Sequence, residues 1–405
     1  MSKRVLIVCE AIAPPAFSPR VLTLAEYLQQ HGWHCEILTE QCAEKPFYSE
    51  ICTIHQMPVY SNLLNDKLFY GKDKALYRYA KQQLDISTFD ISTFDIIFCS
   101  SYYYFPLYTA HLLSQEYHIP LAVDLRDIAE QWGDEAYFTR RITPFKKLNY
   151  LIGKLYEHRQ LRMRNNVLSK ADIVTSVSPW HKQLLAQYNA NTHLIYNGYD
   201  ANMFVPQNIA CEQFCITYLG KLYSTLLRDP RLLFEALRQL IAEQQLDPSK
   251  VRVLFHTDPK GIQEIQELGK EYHITEILDI NGYIPRQEIL PVMHLSSILL
   301  VLTTLSTPNG THGIMGTKFF ENIGIEKPIL CVHSDEECLA DAIKQTNAGL
   351  AATNVEEVKA FVLDKYHEWK QNGYTRQQVV NKEQFTRQHE AAQFEQLFLT
   401  VINRD

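Results

Sequence analysis

The segment Gly310-Thr-His-Gly-Ile-Met-Gly-Thr-Lys318-Phe-Phe-Glu321 carries the residue types of an anion site. A glycine-bearing loop here leads into a helix predicted to start near Thr317, whose unsatisfied N–H groups and positive dipole end attract negative charge. Lys318 adds a full charge beside them. Glu321 lies three residues on and projects from nearly the same helical face, where a carboxylate next to a bound phosphate accepts hydrogen bonds from a ribose diol. Phosphate and diol together describe a nucleotide, the alternative being a surface Lys–Glu pair on an ordinary helix. A second glycine with two cations stands between a strand and a helix at Gly220, Lys221 and Arg228. A third polar group, Asp124, Arg126 and Asp127, ends an apolar run and suits a polar cleft, although a solvated loop would read the same way. Ser100-Ser-Tyr-Tyr-Tyr-Phe105 sets aromatics at a strand's carboxyl end, where α/β domains collect cleft residues. Core packing is expected for at least some of these tyrosines.

The elements that must position these groups follow from the apolar pattern. Residues 298–302 and 329–332 read as buried parallel strands on either side of the first segment. Residues 4–39 form a strand, a loop, an amphipathic helix closing at Gly32 and a second strand. That loop, Ala13-Pro-Pro-Ala-Phe-Ser-Pro-Arg20, contains no glycine, so the dinucleotide fingerprint is absent, and no Gly-Lys pair precedes Ser or Thr as a P-loop requires. Residues 43–90 show poor periodicity, and the tandem Asp-Ile-Ser-Thr-Phe at 85–94 reads as a variation in loop length. The β/α rhythm closes near Pro206 and restarts at 214–219. The chain therefore divides into domains at 1–206 and 207–385, with a last helix, 386–405, expected to return to the first domain.

A chain of 405 residues exceeds one core, in keeping with two domains. Its net charge of −7 argues against general nucleic-acid binding. The nine cysteines include no CxxC pair, which points to reduced thiols, a cytoplasmic setting and no zinc. Against this acidic background, residues 140–164 hold eight cations (Arg140, Arg141, Lys146, Lys147, Lys154, Arg159, Arg162 and Arg164) and one acid, Glu157, interleaved with apolar residues. Such a basic amphipathic stretch rests on an anionic membrane surface, or else is a solvated helix face.

Taken in order, these motifs resemble the GT-B glycosyltransferases, in particular the large retaining clan, family four, that builds bacterial surface polysaccharides. The resemblance spans nearly the whole chain. It lies in Pro14-Pro15 with Arg20-Val-Leu-Thr-Leu-Ala25, in Asp124-Leu-Arg-Asp127, and in Ala171-Asp-Ile-Val-Thr-Ser-Val-Ser178 with Tyr196-Asn-Gly-Tyr-Asp200. It continues in Tyr218-Leu-Gly-Lys-Leu-Tyr223 with Arg228-Asp-Pro230, and in Thr317-Lys-Phe-Phe-Glu321 with Lys327-Pro328. It implies an α/β protein of two Rossmann-like domains facing across a cleft, and transfer of a sugar from a UDP- or GDP-sugar to a saccharide or lipid-linked acceptor. It implies that Lys221, Arg228, Gly316, Thr317 and Lys318 bind the diphosphate, that Glu321 holds the ribose, and that Arg20 and Tyr103 serve the acceptor. Asp127 is the carboxylate placed for the acceptor hydroxyl, with pairing to Arg126 or Arg20 as the alternative, and Arg228 and His312 complete the expected catalytic set. No metal and no cofactor are implied; Asp-x-Asp does not occur. Gly313 stands where many members carry a second glutamate, so either His312 and nearby amides take over that contact or the site is altered. Glu326 replaces a usual glycine. The expected enzyme is cytoplasmic, resting peripherally on the inner face of the plasma membrane. A non-catalytic nucleotide-sugar or glycan-binding module on the same fold is the alternative.

Overall fold

Five of the six residues of β1 (Arg4–Cys9) are buried, and a strand apolar on both faces belongs inside a sheet covered by helices on both sides. The structure, a computed structural model, describes all residues except 1, 11, 13–18, 42–48, 63–64, 67–68, 87–89, 133–144, 226, 304–309 and 404–405. The side chains at 83–86 and 146 also lie outside the description. The chain divides into two compact units, 1–197 with 387–405, and 198–386.

In the first unit, α1 (Pro19–Gln30) follows β1 and leads to β2 (His34–Glu40). Then come β3 (Thr53–Met57), α2 (Gly71–Ile86), β4 (Ile96–Ser101), α3 (Leu107–Tyr117), β5 (Leu121–Leu125), α4 (Lys146–Leu168), β6 (Ile173–Ser176), α5 (Pro179–Leu185) and β7 (Thr192–Leu194). All strands are parallel in the order β3-β2-β1-β4-β5-β6-β7. Strand order reverses between β1 and β4, which places the ligand crevice of a doubly wound sheet at their carboxyl ends. Both β3 and α2 fall in the stretch read as poorly periodic. β3 is an edge strand with mostly half-buried side chains, so its sequence Thr-Ile-His-Gln-Met has no apolar alternation to display.

The second unit repeats the plan. Its elements are β8 (Phe214–Leu219), α6 (Arg231–Ala242), β9 (Val251–His256), α7 (Pro259–Glu271), β10 (Leu278–Asn281) and α8 (Arg286–Leu295). β11 (Ile298–Leu302), α9 (Thr317–Ile325), β12 (Ile329–Val332), α10 (Cys338–Gln345), β13 (Gly349–Ala351) and α11 (Val355–Asn372) complete it. The order is β10-β9-β8-β11-β12-β13, again parallel, with its reversal between β8 and β11. Residues 198–206, expected in the first domain, belong to this unit. Tyr199 and Phe204 pack so closely over Gly324 that a Cβ there would come within 2.6 Å of the tyrosine ring. The last helix, α12 (Arg387–Ile402), lies in the first unit, where the Phe394 and Phe398 ring centroids sit 4.9 and 5.4 Å from that of Phe98.

Glu326 closes α9 in a left-handed conformation, φ 55°, a position that ordinarily favours glycine. Two ion pairs, to Arg376 at 2.9 Å and Lys382 at 2.5 Å, hold it there. Burial alone would raise its carboxyl, but these cations hold it below the usual carboxylate range. The eight cysteines among the described residues are free thiols; Cys42 lies outside them.

Candidate functional site

The loop after β8 is tied down before it presents its cations. The Leu222 amide donates to Thr257 Oγ1 at 3.1 Å and Asp258 Oδ1 at 2.9 Å, and the Thr225 amide donates to Glu264 Oε2 at 2.6 Å. Across this loop Arg228 donates through Nη1 to the Tyr218 hydroxyl at 3.0 Å and to the Lys221 carbonyl. Its guanidinium carbon lies 4.9 Å from the Tyr223 ring centroid, and Lys221 Nζ lies 4.5 Å from the same centroid. Tyr223 is thus a platform for both cations, worth about 0.5–1 kcal/mol each at an exposed ring, and it fixes charges that would otherwise be mobile.

Helix α9 begins at Thr317 with Gly316 as its N-cap, and among the described residues no side chain caps it. The orphan amides of its first turn accordingly suit an anion. Lys318 and Glu321 pair at 2.9 Å with both side chains partly exposed, so the i,i+3 relation expected from sequence is realised. His312 Nδ1 lies 2.8 Å from Glu337 Oε1, ahead of α10, which turns Nε2 away from that carboxylate. Gly313 has φ 64°, a left-handed conformation that a glutamate adopts only with strain. Beyond β12, His333 Nε2 stands 3.8 Å from Asp229, the neighbour of Arg228. Lys221, Arg228, His312, Gly316, Thr317, Lys318 and Glu321 therefore all belong to loops or a helix start following carboxyl ends of strands in one sheet.

In the first unit, Asp127 is half-buried and accepts from Gln131 Nε2 at 3.1 Å. Burial raises its carboxyl above the ordinary range, against that hydrogen bond and the Arg126 charge. Arg126 lies over Tyr102, 3.7 Å from the ring centroid, and the Tyr103 hydroxyl accepts from Trp132 Nε1 at 3.1 Å. Glu10, directly after β1 at the same sheet edge, is pushed up to about 7 by burial, despite the pull of Arg126 and Lys72, and feels the charge of Asp127. Sequence reading overlooked it; its place after the first strand was the available signal. Glu337 was also overlooked, and no sequence signal exists for it; Tyr223 was named only as the end of its motif, without a role.

Arg20, expected to serve the acceptor, is turned into the first unit. It is 4% exposed and spends its donors inside the unit: Nε and Nη2 reach Asp124 at 3.0 Å each, Nη1 and Nη2 reach the carbonyls of Tyr196 and Ile195, and Nη1 lies 3.3 Å from Glu390. These bonds tie β5, α12 and the segment after β7 to the start of α1. Part of the basic stretch is likewise internal. Arg164 is fully buried, bound through both arms to Glu130 at 2.6 and 2.7 Å, while Arg140 and Arg141 lie outside the described residues. A cavity of about 480 Å³ lined by Trp33, His34, Cys35 and Cys52 opens at the amino ends of β2 and β3, whereas Glu10 and Asp127 follow carboxyl ends of the same sheet.

Comparison with known proteins bears on this arrangement. Residues 19–202 match Glycosyltransferase Family 4. No curated protein matches the chain in sequence. Among solved structures, a glycosyltransferase from Rickettsia africae ESF-5 superposes over 100% of both chains with a TM-score of 0.68 at 14% identity. Sucrose-phosphate synthase from Thermosynechococcus elongatus does so over 100% of both at 0.65 and 13%. Anabaena HepE, in complex with UDP and glucose, covers 98% of this chain and 100% of its own at 0.59 and 14%. At such identities the likeness is one of fold. The chain accordingly has the two-domain α/β architecture of the GT-B glycosyltransferases, and its residues 19–202 match Glycosyltransferase Family 4, a match that supports glycosyltransferase activity.

Proposed function

We propose that the protein moves a sugar from a UDP- or GDP-sugar to a saccharide or lipid-linked acceptor, with retention and without a metal, in the cytoplasmic stage of surface polysaccharide synthesis. The observation that carries this reading is the pair of cations on Tyr223 in the same sheet-edge cluster as the uncapped start of α9. Cleaving the bond between anomeric carbon and phosphate leaves charge on the diphosphate, and fixed donors aimed at that charge lower the barrier. Lys221, Arg228 and the amides of Thr317 and Lys318 supply them. Glu321, released from Lys318 when phosphate takes the lysine, accepts from the ribose diol. His312, oriented by Glu337, faces the sugar in place of the carboxylate that Gly313 excludes, and Asp127 receives or orients the acceptor hydroxyl beside Tyr103. The neighbours' ligands support the choice of donor: HepE is found with UDP-glucose, and another neighbour is the lipopolysaccharide outer core galactosyltransferase WaaB.

Titration with nucleotide sugars, read by calorimetry and by release of free sugar, tests this. Binding with slow hydrolysis is expected. Glu321→Ala should weaken nucleotide binding by about 1–3 kcal/mol, the cost of an unmade hydrogen bond to a charged group, with unchanged thermal unfolding. A variant that binds nucleotide as well as wild type would reduce Glu321 to the partner of a surface lysine. The lack of a carboxylate at Gly313, whose φ of 64° suits glycine, favours one second reading, a module that binds nucleotide sugars without turnover. Tight binding with no hydrolysis, even in the presence of saccharide acceptors, would select it.

A further inference from the structure

The first half of α4 is built unlike the second. From Met163 to Leu168 its inward side chains join the core, whereas Phe145, Leu148, Tyr150, Leu151 and Leu155 are 43% to 68% exposed. Leu148, Leu151 and Leu155 follow the spacing of one helical face, which Arg162 continues. Lys147 and Lys154 flank that row on one side. On the other, Arg159 reaches over Tyr70 at 4.5 Å and towards Phe69 at 6.0 Å from the ring centroid, and Phe69 is itself exposed. Glu157, the sole acid of α4, is bound to Lys154 at 3.2 Å, so the remaining charge carried by α4 is positive, in a chain whose net charge is −7.

We propose that this exposed face of α4 docks the protein on an anionic lipid bilayer, the leucines entering the headgroup boundary while Lys147, Arg159 and Arg162 meet lipid phosphates. An apolar row rimmed by cations matches a surface that is hydrocarbon beneath and negative above, and a shallow helix of this kind lies in the interface plane. A protein partner would need acids around an apolar groove, a narrower requirement than the α4 face imposes. Among the described residues no helix is long and apolar enough to cross a membrane. The inference shares with the proposed function only the choice of a lipid-borne acceptor; docking itself requires no turnover.

The test is co-sedimentation of the full chain with vesicles of phosphatidylcholine alone or mixed with phosphatidylglycerol. Wild type should prefer the anionic vesicles by about tenfold or more at low salt, and lose that preference in 1 M salt, where the Debye length is about 3 Å. The variant Leu148→Ser, Leu151→Ser, Leu155→Ser should lose binding by a similar factor, and Lys147→Glu with Arg162→Glu should abolish the anionic preference. These side chains are already exposed, so both variants should unfold at the wild-type temperature. They should also hydrolyse nucleotide sugar in lipid-free solution at the wild-type rate, which separates failure of docking from failure of the proposed activity. Equal binding to neutral and anionic vesicles, or serine variants that sediment like wild type, would overturn the proposal. So would a wild-type dimer that the serine variant converts to monomer without any change in vesicle binding, because a second copy would then be what covers the row.

Discussion

Replacing Arg20 by alanine is expected to cost the first unit about 3–5 kcal/mol, the penalty for leaving a buried charge without its partner. Asp124 is fully buried, accepts from Ser100 Oγ at 3.1 Å and Thr175 Oγ1 at 2.8 Å, and takes both arms of the Arg20 guanidinium. The two hydroxyls remain in the variant, but neutral donors do not balance a carboxylate removed from water. Glu390 behaves differently. One guanidinium serves two carboxyl groups, and burial pushes Glu390 up to about 7, outweighing the attraction of Arg20. Its folded pKa lies above its ordinary value of 4.5, so its contribution to stability is complete below that value and is lost as pH rises through about 7. Wild type should therefore lose on the order of 2 kcal/mol from this group between pH 5 and pH 8. Glu390→Gln, which mimics the protonated acid, should remove that component and be nearly neutral at pH 5. Urea unfolding across this range reads both effects. A loss below about 1 kcal/mol for Arg20→Ala would mean that Asp124 takes up a proton or reaches water, and that the trio is no structural pivot.

The same trio shows where sequence reading reaches its limit. Arg20 and Asp124 are separated by 104 positions, and Glu390 lies on α12, another 266 further on, so no local pattern pairs them. Arginine near a glycine-poor loop looks like a ligand contact until its donors are traced inward. What was legible is what local physics decides. The buried strands of both units announce themselves as apolar runs, and the start of α9 at Thr317 and the Lys318–Glu321 pair follow from helical spacing alone. The edge strand β3, in which Ile54 and Met57 stand among Thr53, His55 and Gln56, left no apolar run to read. Glu337 was invisible because its meaning depends on His312, 25 residues earlier and outside any shared element. The Tyr223 platform was half legible: the loop was singled out for its cations, while the ring that organises them became evident only from their stacking.

That stacking gives the last expectation its size. Arg228 is held by the Tyr218 hydroxyl, the Lys221 carbonyl and the Tyr223 face, so its charge is in place before substrate arrives and needs little reorganisation during the reaction. Fixed donors of this kind are worth about 10²–10³ in turnover when removed singly, because the charge they face grows as the bond to phosphate breaks. Arg228→Ala should accordingly lower the rate of sugar release by that factor while weakening nucleotide binding by only about tenfold. Lys221→Ala should cost less, about tenfold in rate, since the exposed lysine is a point charge on a flexible stem that touches the ring and has no second anchor among the described residues. Tyr218→Phe, which deletes one anchor of Arg228 and none of its charge, should fall between wild type and Arg228→Ala in rate and match wild type in affinity. Single-turnover hydrolysis paired with calorimetry of nucleotide binding measures both quantities. Equal losses in rate and affinity for Arg228→Ala would show that the guanidinium anchors the ground state only, and the stabilisation of the leaving diphosphate would then have to come from the amides at the start of α9.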